Sequence, residues 1–283
     1  MHNREMTKAA VQPGTAQDTD TSTFTPHKVR VVGTHQSPPR TLIRERASVF
    51  SLRSAIGRKR LRESTPVIGN DLPVLLVPGL FSGDYSMTPL SNFLKAAGFA
   101  PARSGIKLNI GCTSELVDQL GERADELVQE SGSRIAVVGW SRGGSLARLV
   151  AAARPDLIGG IVSITSPQVN PFAVNPSVAA QVNRLLRLHE AGFSGVMSAD
   201  CVAGRCANRM LELLAQPMPS NVSYYSIYSR TDGIVDWRAC LDPSAQLIEV
   251  KGTHLGIGKE PAVLEHVANC LAPLAETAMV RAH

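Results

Sequence analysis

Aromatic residues are scarce in this chain of 283 residues, at 5% of the total. No stretch approaches the roughly 20 consecutive apolar residues that a membrane helix needs. The N-terminal stretch MHNREMTKAAVQPGTAQDTDTSTFTP has no apolar run of the kind a secretory signal peptide carries. The expectation is a soluble protein with a cytoplasmic home. Cysteine is also sparse and odd in number: Cys112, Cys201, Cys206, Cys240 and Cys270. A chain of this size in that compartment does not need a disulfide framework. Cys201 and Cys206 are spaced C-x4-C, with no second pair at zinc-ligand spacing. The five cysteines read as buried thiols, the alternative being a local disulfide that uses Cys201, Cys206 or Cys240.

Acidic residues are nearly absent from one segment. From Lys28 to Arg62 the chain carries ten Lys and Arg against Glu45 alone, a net of +9. The whole chain carries +5, so the remainder is acidic by 4. Basicity therefore belongs to one arm. A nucleic-acid-binding protein would need a basic face on the body itself, so that class of partner is not expected.

Residues 1–38 are rich in Thr, Gln, Asp, Pro and Ser without periodicity, and read as a disordered tail. Residues 39–66 form the basic arm. Within it, Thr41 to Arg62 has helical periodicity, with Leu42, Val49, Leu52 and Ile56 on one face. Such a helix packs its stripe on the protein's own body or lies on an anionic membrane surface. The first reading is favoured, because the apolar face is modest and holds no Trp.

Residues 67–283 are regular. Apolar strand patterns (PVLLV at 73–77, Phe99–Ser104, Arg134–Gly139, Leu157–Thr165, Val222–Tyr228 and Gln246–Val250) alternate with helical ones. The helical stretches are Thr88–Ala97, Glu115–Glu130, Arg142–Arg154 and Pro261–Leu271. This alternation predicts a mostly parallel sheet covered by helices on both faces. Residues 168–221 break the pattern with no clear strand. Ala173–Glu190 and Asn208–Ala215 read as helices, which suggests a helical cap over a site; the alternative is helices that only pack.

The stretch VVGWSRGG, residues 137–144, runs from a buried strand into a turn and at once into an Ala- and Leu-rich helix. A G-x-S-x-G pattern in that setting holds Ser141 at a strained apex with its hydroxyl exposed. No Gly-Lys-Ser/Thr follows, so the turn is not a phosphate loop. A serine nucleophile needs a base, and the base needs an orienting carboxylate. Among seven histidines, four lie in the tail or at the last residue, and His189 and His266 fall within helices. His254 instead follows strand QLIEV in the loop KGTHLG, and is the candidate base. Strand VSYYSIY leads into SRTDGIVDW, where Asp232 is the candidate acid and Asp236 its rival. The oxyanion needs backbone donors. Arg142, just after the nucleophile, offers one N–H. Leu80 in the PGLF turn after PVLLV offers the second, with Phe81 as the alternative.

Four stretches, PVLLVPGLFSGD, VVGWSRGGSLARLVAAARPDLI, SIYSRTDGIVDWRAC and VKGTHLGIG, frame residues 72–272 in a fixed order. On these the chain resembles the α/β-hydrolase superfamily, and within it bacterial lipase- and esterase-like serine hydrolases. The resemblance implies an α/β-hydrolase fold and acyl transfer to water through an acyl-enzyme on Ser141. It implies Asp232 as acid, His254 as base, the amides of Leu80 and Arg142 as oxyanion hole, no metal and no organic cofactor. Two departures stand out. Pro78 replaces a common histidine, and Arg142 replaces a common Met or Leu. The cation of Arg142 either favours anionic acyl groups or pairs with a neighbouring carboxylate, the reading preferred here. The expected substrate is a small-molecule or lipid ester with an apolar acyl group. The alternatives are an acyltransferase or thioesterase with the same residues, and a silent binding or scaffold protein, which would lack one of them.

Overall fold

The computed structural model describes residues 29–36 and 66–281, with the isolated positions 43–45, 47, 59 and 61 between them. Residues 1–28 and most of the basic arm, including Leu42, Val49, Leu52 and Ile56, lie outside the described residues.

Six strands form one sheet: β1 (Pro73–Val77), β2 (Ala100–Arg103), β3 (Ile135–Trp140), β4 (Ile158–Ile164), β5 (Ser223–Tyr228) and β6 (Gln246–Glu249). Every neighbouring pair is parallel, in the order β2-β1-β3-β4-β5-β6. The inner strands are apolar throughout because helices cover both faces; β1 and β4 are buried along their whole length. The edge strands β2 and β6 are partly exposed and less apolar.

Side chains alternate across the sheet, so each strand feeds two cores. On one face, Val74, Leu76 and Val138 pack with Phe93 and Leu94 of α1 (Thr88–Ala96) and with Leu264 and Leu271 of the terminal helix. On the other, Leu75, Val137 and Ile161 pack with Leu116 and Leu120 of α2 (Thr113–Ser131) and with Leu146 and Val150 of α3 (Arg142–Ala153).

The chain leaves β1 toward β2 on one side and returns to β3 on the other. The ends of β1 and β3 therefore face the crevice where the strand order reverses, the usual ligand position in an open α/β sheet. The turn after β1 holds Gly79 and Leu80, and the turn after β3 holds Ser141.

Three helices lie between β4 and β5: α4 (Pro176–Glu190), α5 (Asp200–Ala203) and α6 (Arg205–Ala215). Helix α4 starts at Pro176 rather than at the expected Ala173, because the Asn175 side chain accepts from the Ser177 N–H and caps it. Its apolar side, with Ala179, Leu185 and Leu186, packs on Met197 and Val202. Residues 29–36, assigned from sequence to the tail, lie along this unit. The backbone N–H of Val31 donates to Asn183 Oδ1 and its carbonyl accepts from Asn183 Nδ2, both at 2.9 Å. Val31 itself is buried in the α4 cluster, so the apolar Val29-x-Val31 pattern anchors this part of the tail.

The chain ends on α7 (His254–Ile257) and α8 (Pro261–Arg281). Helix α8 runs well past the expected end at Leu271 and through Pro273. An internal proline costs about 3 kcal/mol, but the turn around it is held by packing. Ala275 is buried, and a Cβ on Gly160 of β4 would lie 2.4 Å from Leu274 Cδ1. Among the described residues no helix is long and apolar enough to cross a membrane.

Candidate active site

Ser141 joins β3 to α3 with φ 55° and ψ −126°, a conformation that costs a non-glycine residue free energy. Close passage of the chain explains why glycines surround it. A Cβ on Gly139 would lie 2.2 Å from Gly143 O, and one on Gly143 would lie 2.2 Å from Val77 O. The Ser141 N–H donates to Ile164 O on β4 at 2.8 Å, which ties the apex to the sheet. Ser141 lines a cavity of about 500 Å³ together with His254, Leu80 and Arg142.

His254 is the first residue of α7 and is buried, with Thr253 capping the helix. Its Nδ1–H donates to Asp232 Oδ2 at 2.7 Å. The other oxygen of Asp232 accepts from the N–H groups of Ile234 and Val235, each at 2.8 Å, so the loop after β5 fixes the carboxylate. Burial alone pushes the imidazole pKa down. The Asp232 carboxylate, by charge and hydrogen bond, and Glu45 by charge, push it up, and the net result lies above the ordinary 6.5. No hydrogen bond joins the ring to Ser141 Oγ; the two groups share the cavity wall, with the Trp140 ring tilted by 31° against the imidazole at a centroid distance of 5.8 Å. The rival Asp236 is placed elsewhere. It caps the 3-10 turn Trp237–Cys240 by accepting from the Arg238 N–H at 3.0 Å.

The two candidate oxyanion donors separate cleanly. Phe81 N–H is spent on Asn109 O at 3.3 Å, and Phe81 is held at φ 59°. The N–H of Leu80 and the N–H of Arg142 at the start of α3 have no hydrogen-bond partner among the described residues. The amino-terminal end of α3 adds its partial positive charge at the same place.

The expected ion pair of Arg142 is not formed. Its guanidinium donates to Asn109 Oδ1 at 2.6 Å, Gly111 O at 2.8 Å and Thr113 Oγ1 at 3.1 Å, and pairs with no carboxylate among the described residues. The loop before α2 turns neutral oxygens toward it. Burial lowers its pKa to about 10, partly offset by the sulfurs of Cys201, Cys112 and Cys206. Arg142 thus acts as a strut between the elbow and residues 109–113. Asn109 extends the strut to the first turn, donating from Nδ2 to Pro78 O at 2.7 Å.

Two contributors escape a reading of sequence alone. Asn109 sits in a loop without periodicity. Glu45 is the single acid between Lys28 and Arg62, and that isolation is its only mark in the sequence. It is buried at 1% exposure. Its Oε1 accepts from the N–H groups of Gly233 and His254, and its Oε2 from that of Leu255, all at 2.8 Å. One carboxylate thereby holds the Asp232 loop and the His254 loop together. His35 adds a contact from Nε2–H to Asp232 O at 3.3 Å.

The cavity walls are mostly apolar. Leu146 and Leu149 of α3, Met210 and Leu214 of α6, Val178 of α4 and Phe172 are among the lining residues. All five cysteines are free, and Cys112 and Cys201 are half-buried rather than buried as expected.

A model described as the alpha/beta hydrolase family matches residues 74–278. No curated protein matches the chain in sequence. Among solved structures, the chain is similar to a Paleococcus ferrophilus monoacylglycerol lipase at 19% identity and a TM-score of 0.51, over 76% of this chain and 96% of that one. It is also similar to the Bacillus licheniformis lipase BlEst2 in mature form at 15% identity and a TM-score of 0.53, over 72% and 92%. At such identities the likeness is one of fold. The family match spans most of the chain and covers the elbow, the Asp232 loop and His254: the chain belongs to the α/β hydrolase family.

Proposed function

We propose that this protein hydrolyses carboxylic esters with apolar acyl groups through an acyl-enzyme on Ser141. The observation that carries this reading is the convergence of Ser141, the Asp232–His254 couple and two unbonded amides on one apolar cavity of about 500 Å³. That volume is in the usual range of a small-molecule site, roughly 300–1,000 Å³. The two similar structures are described as lipases, which agrees with the reading.

In this mechanism Ser141 Oγ attacks the ester carbonyl while His254 Nε2 takes its proton. Asp232 keeps the imidazole oriented and stabilises the imidazolium as it forms. The N–H groups of Leu80 and Arg142 receive the oxyanion. His254 then protonates the departing alcohol. Water enters and attacks the acyl carbon as His254 takes its proton, and His254 returns that proton to Ser141 Oγ as the acid leaves. Glu45 holds the two loops that set the distance between Asp232 and His254.

The test is turnover of p-nitrophenyl esters from acetate to palmitate, with Ser141→Ala beside the wild type. The expected result is an optimum at one acyl length and a loss of ~10⁴-fold or more in kcat for the variant. Folded protein that turns over none of the series, and is not labelled at Ser141 by a fluorophosphonate, would sink the reading.

A further inference from the structure

Cys112, Cys201 and Cys206 come from three different elements and meet at one point. Cys112 precedes α2 on the body, Cys201 lies in α5 and Cys206 in α6 of the cap. Their three Sγ atoms all lie within 4.8 Å of one another, and those of Cys112 and Cys206 are 3.8 Å apart. The C-x4-C pair that lacked a partner in the sequence finds its third sulfur here. We infer that these three residues form a tristhiolate site for a divalent cation of the zinc class, at the seam between cap and body.

The spacing suits the ion. Zinc–thiolate bonds of about 2.3 Å in tetrahedral geometry place sulfurs about 3.8 Å apart, so small side-chain adjustments suffice. The frame around the sulfurs is already set. Asp200 accepts from the N–H groups of Arg205 and Cys206 at 2.8 and 3.2 Å, which fixes the turn between Cys201 and Cys206. Gly204 fits against it closely, since a Cβ there would lie 2.1 Å from Asp200 Oδ1. Across the seam, Met197 N–H donates to Ile110 O at 2.7 Å and holds the cap loop to the loop that bears Cys112.

Charge makes the same assignment. A partly buried guanidinium with only neutral partners is costly unless an anion lies near. Arg142 is such a group, and its hydrogen bonds to Gly111 O and Thr113 Oγ1 flank Cys112 on both sides. Three thiolates around one divalent cation carry a net charge of −1, which answers the Arg142 cation. The balance is one divalent ion and three thiols giving the tristhiolate complex and three protons; nothing is oxidised. Three protein ligands leave the fourth tetrahedral position to water. Because Cys201 lines the cavity and Arg142 follows Ser141, the ion would pin the cap beside the elbow.

This inference does not depend on the ester-hydrolase reading, because its readout is spectroscopic. Full-length protein, reduced and stripped with a chelator, is titrated anaerobically with Co²⁺ and then with Zn²⁺. The expected result is one equivalent of Co²⁺ with a sulfur-to-cobalt charge-transfer band and tetrahedral d–d bands, both bleached by Zn²⁺. Cys112→Ser, Cys201→Ser and Cys206→Ser should each weaken binding by more than ~10-fold, since even outer-shell losses cost about 10–100-fold. Cys270→Ser, outside the cluster, should bind as the wild type does. Wild-type protein with no thiolate band overturns the proposal, and this arm needs no variant to fold. So does a band that survives Cys112→Ser unchanged in folded protein. Reduced protein that binds no ion but loses two of the three thiols on mild oxidation would replace the metal site with a disulfide.

Discussion

The carboxylate of Glu45 and the backbone N–H of His254 are 2.8 Å apart across 209 residues of sequence. The same carboxylate also holds Gly233 and Leu255, so the basic arm enters the site through an acidic residue. A buried carboxylate that accepts three amide bonds is an efficient clamp, because each bond to a charged acceptor is worth roughly 1.5–3 kcal/mol.

Glu45→Gln keeps the size but turns an amide donor toward at least one backbone N–H. Turnover should fall about 10–100-fold with little change in KM, by analogy with outer-shell losses elsewhere. The pH profile should also move. Glu45 helps to raise the His254 pKa, so its loss shifts the acidic limb to lower pH. Measuring kcat, KM and the pH profile together separates positioning from a loss of stability alone, which would leave the limb in place.

The direction of the pH dependence follows from His254. As the proposed base it must be neutral to act, and its pKa is raised above 6.5. Activity should rise with pH through an inflection above 6.5. The stability linked to the same group has the opposite sign: it is fully present below the unfolded pKa and is lost as pH rises through the folded one. In Asp232→Asn, burial is left to dominate and the inflection moves to lower pH, while kcat falls by ~10⁴-fold. An inflection that does not move would remove Asp232 from the site.

On the proposed function, the apolar lining of the cavity is expected to set acyl length. Leu149 is buried on α3 and lines the cavity with Met210 and Leu214 of α6. Leu149→Trp should shift the p-nitrophenyl ester optimum to shorter acyl chains, leaving kcat for acetate within about threefold, since a methylene in an apolar pocket is worth ~1–3 kcal/mol. An unchanged chain-length profile would place the acyl chain elsewhere.

Arg148 is a structural rather than a chemical charge. It is fully buried, donates to Asp242 Oδ2 at 3.1 Å and to Gln216 O at 2.6 Å, and stands over the Tyr224 ring. Asp242→Ala should destabilise the protein by about 3–5 kcal/mol, because it strands a buried cation. Denaturant unfolding measures this directly; a loss below about 1 kcal/mol would show that water reaches the guanidinium.

The sequence by itself determined the sheet's strands, the elbow at Ser141 and the placement of Asp232 and His254 in the loops after the last two strands. Those signals are local: a buried strand, a turn that needs glycine, and a loop at a strand end are written in neighbouring residues. Asp232 and Asp236 both follow β5, and it is Asp232 that meets the imidazole while Asp236 caps the next turn. Helix α8 extends beyond Leu271 because Leu274 and Ala275 pack into the core beside the sheet and carry it past Pro273. Tertiary structure alone decided which neutral oxygens answer Arg142, that Glu45 reaches the two loops, and that Cys112 joins Cys201 and Cys206. Each of these joins residues distant in the chain, through single side chains that leave no period and no motif, so only the folded arrangement brings them within bonding distance.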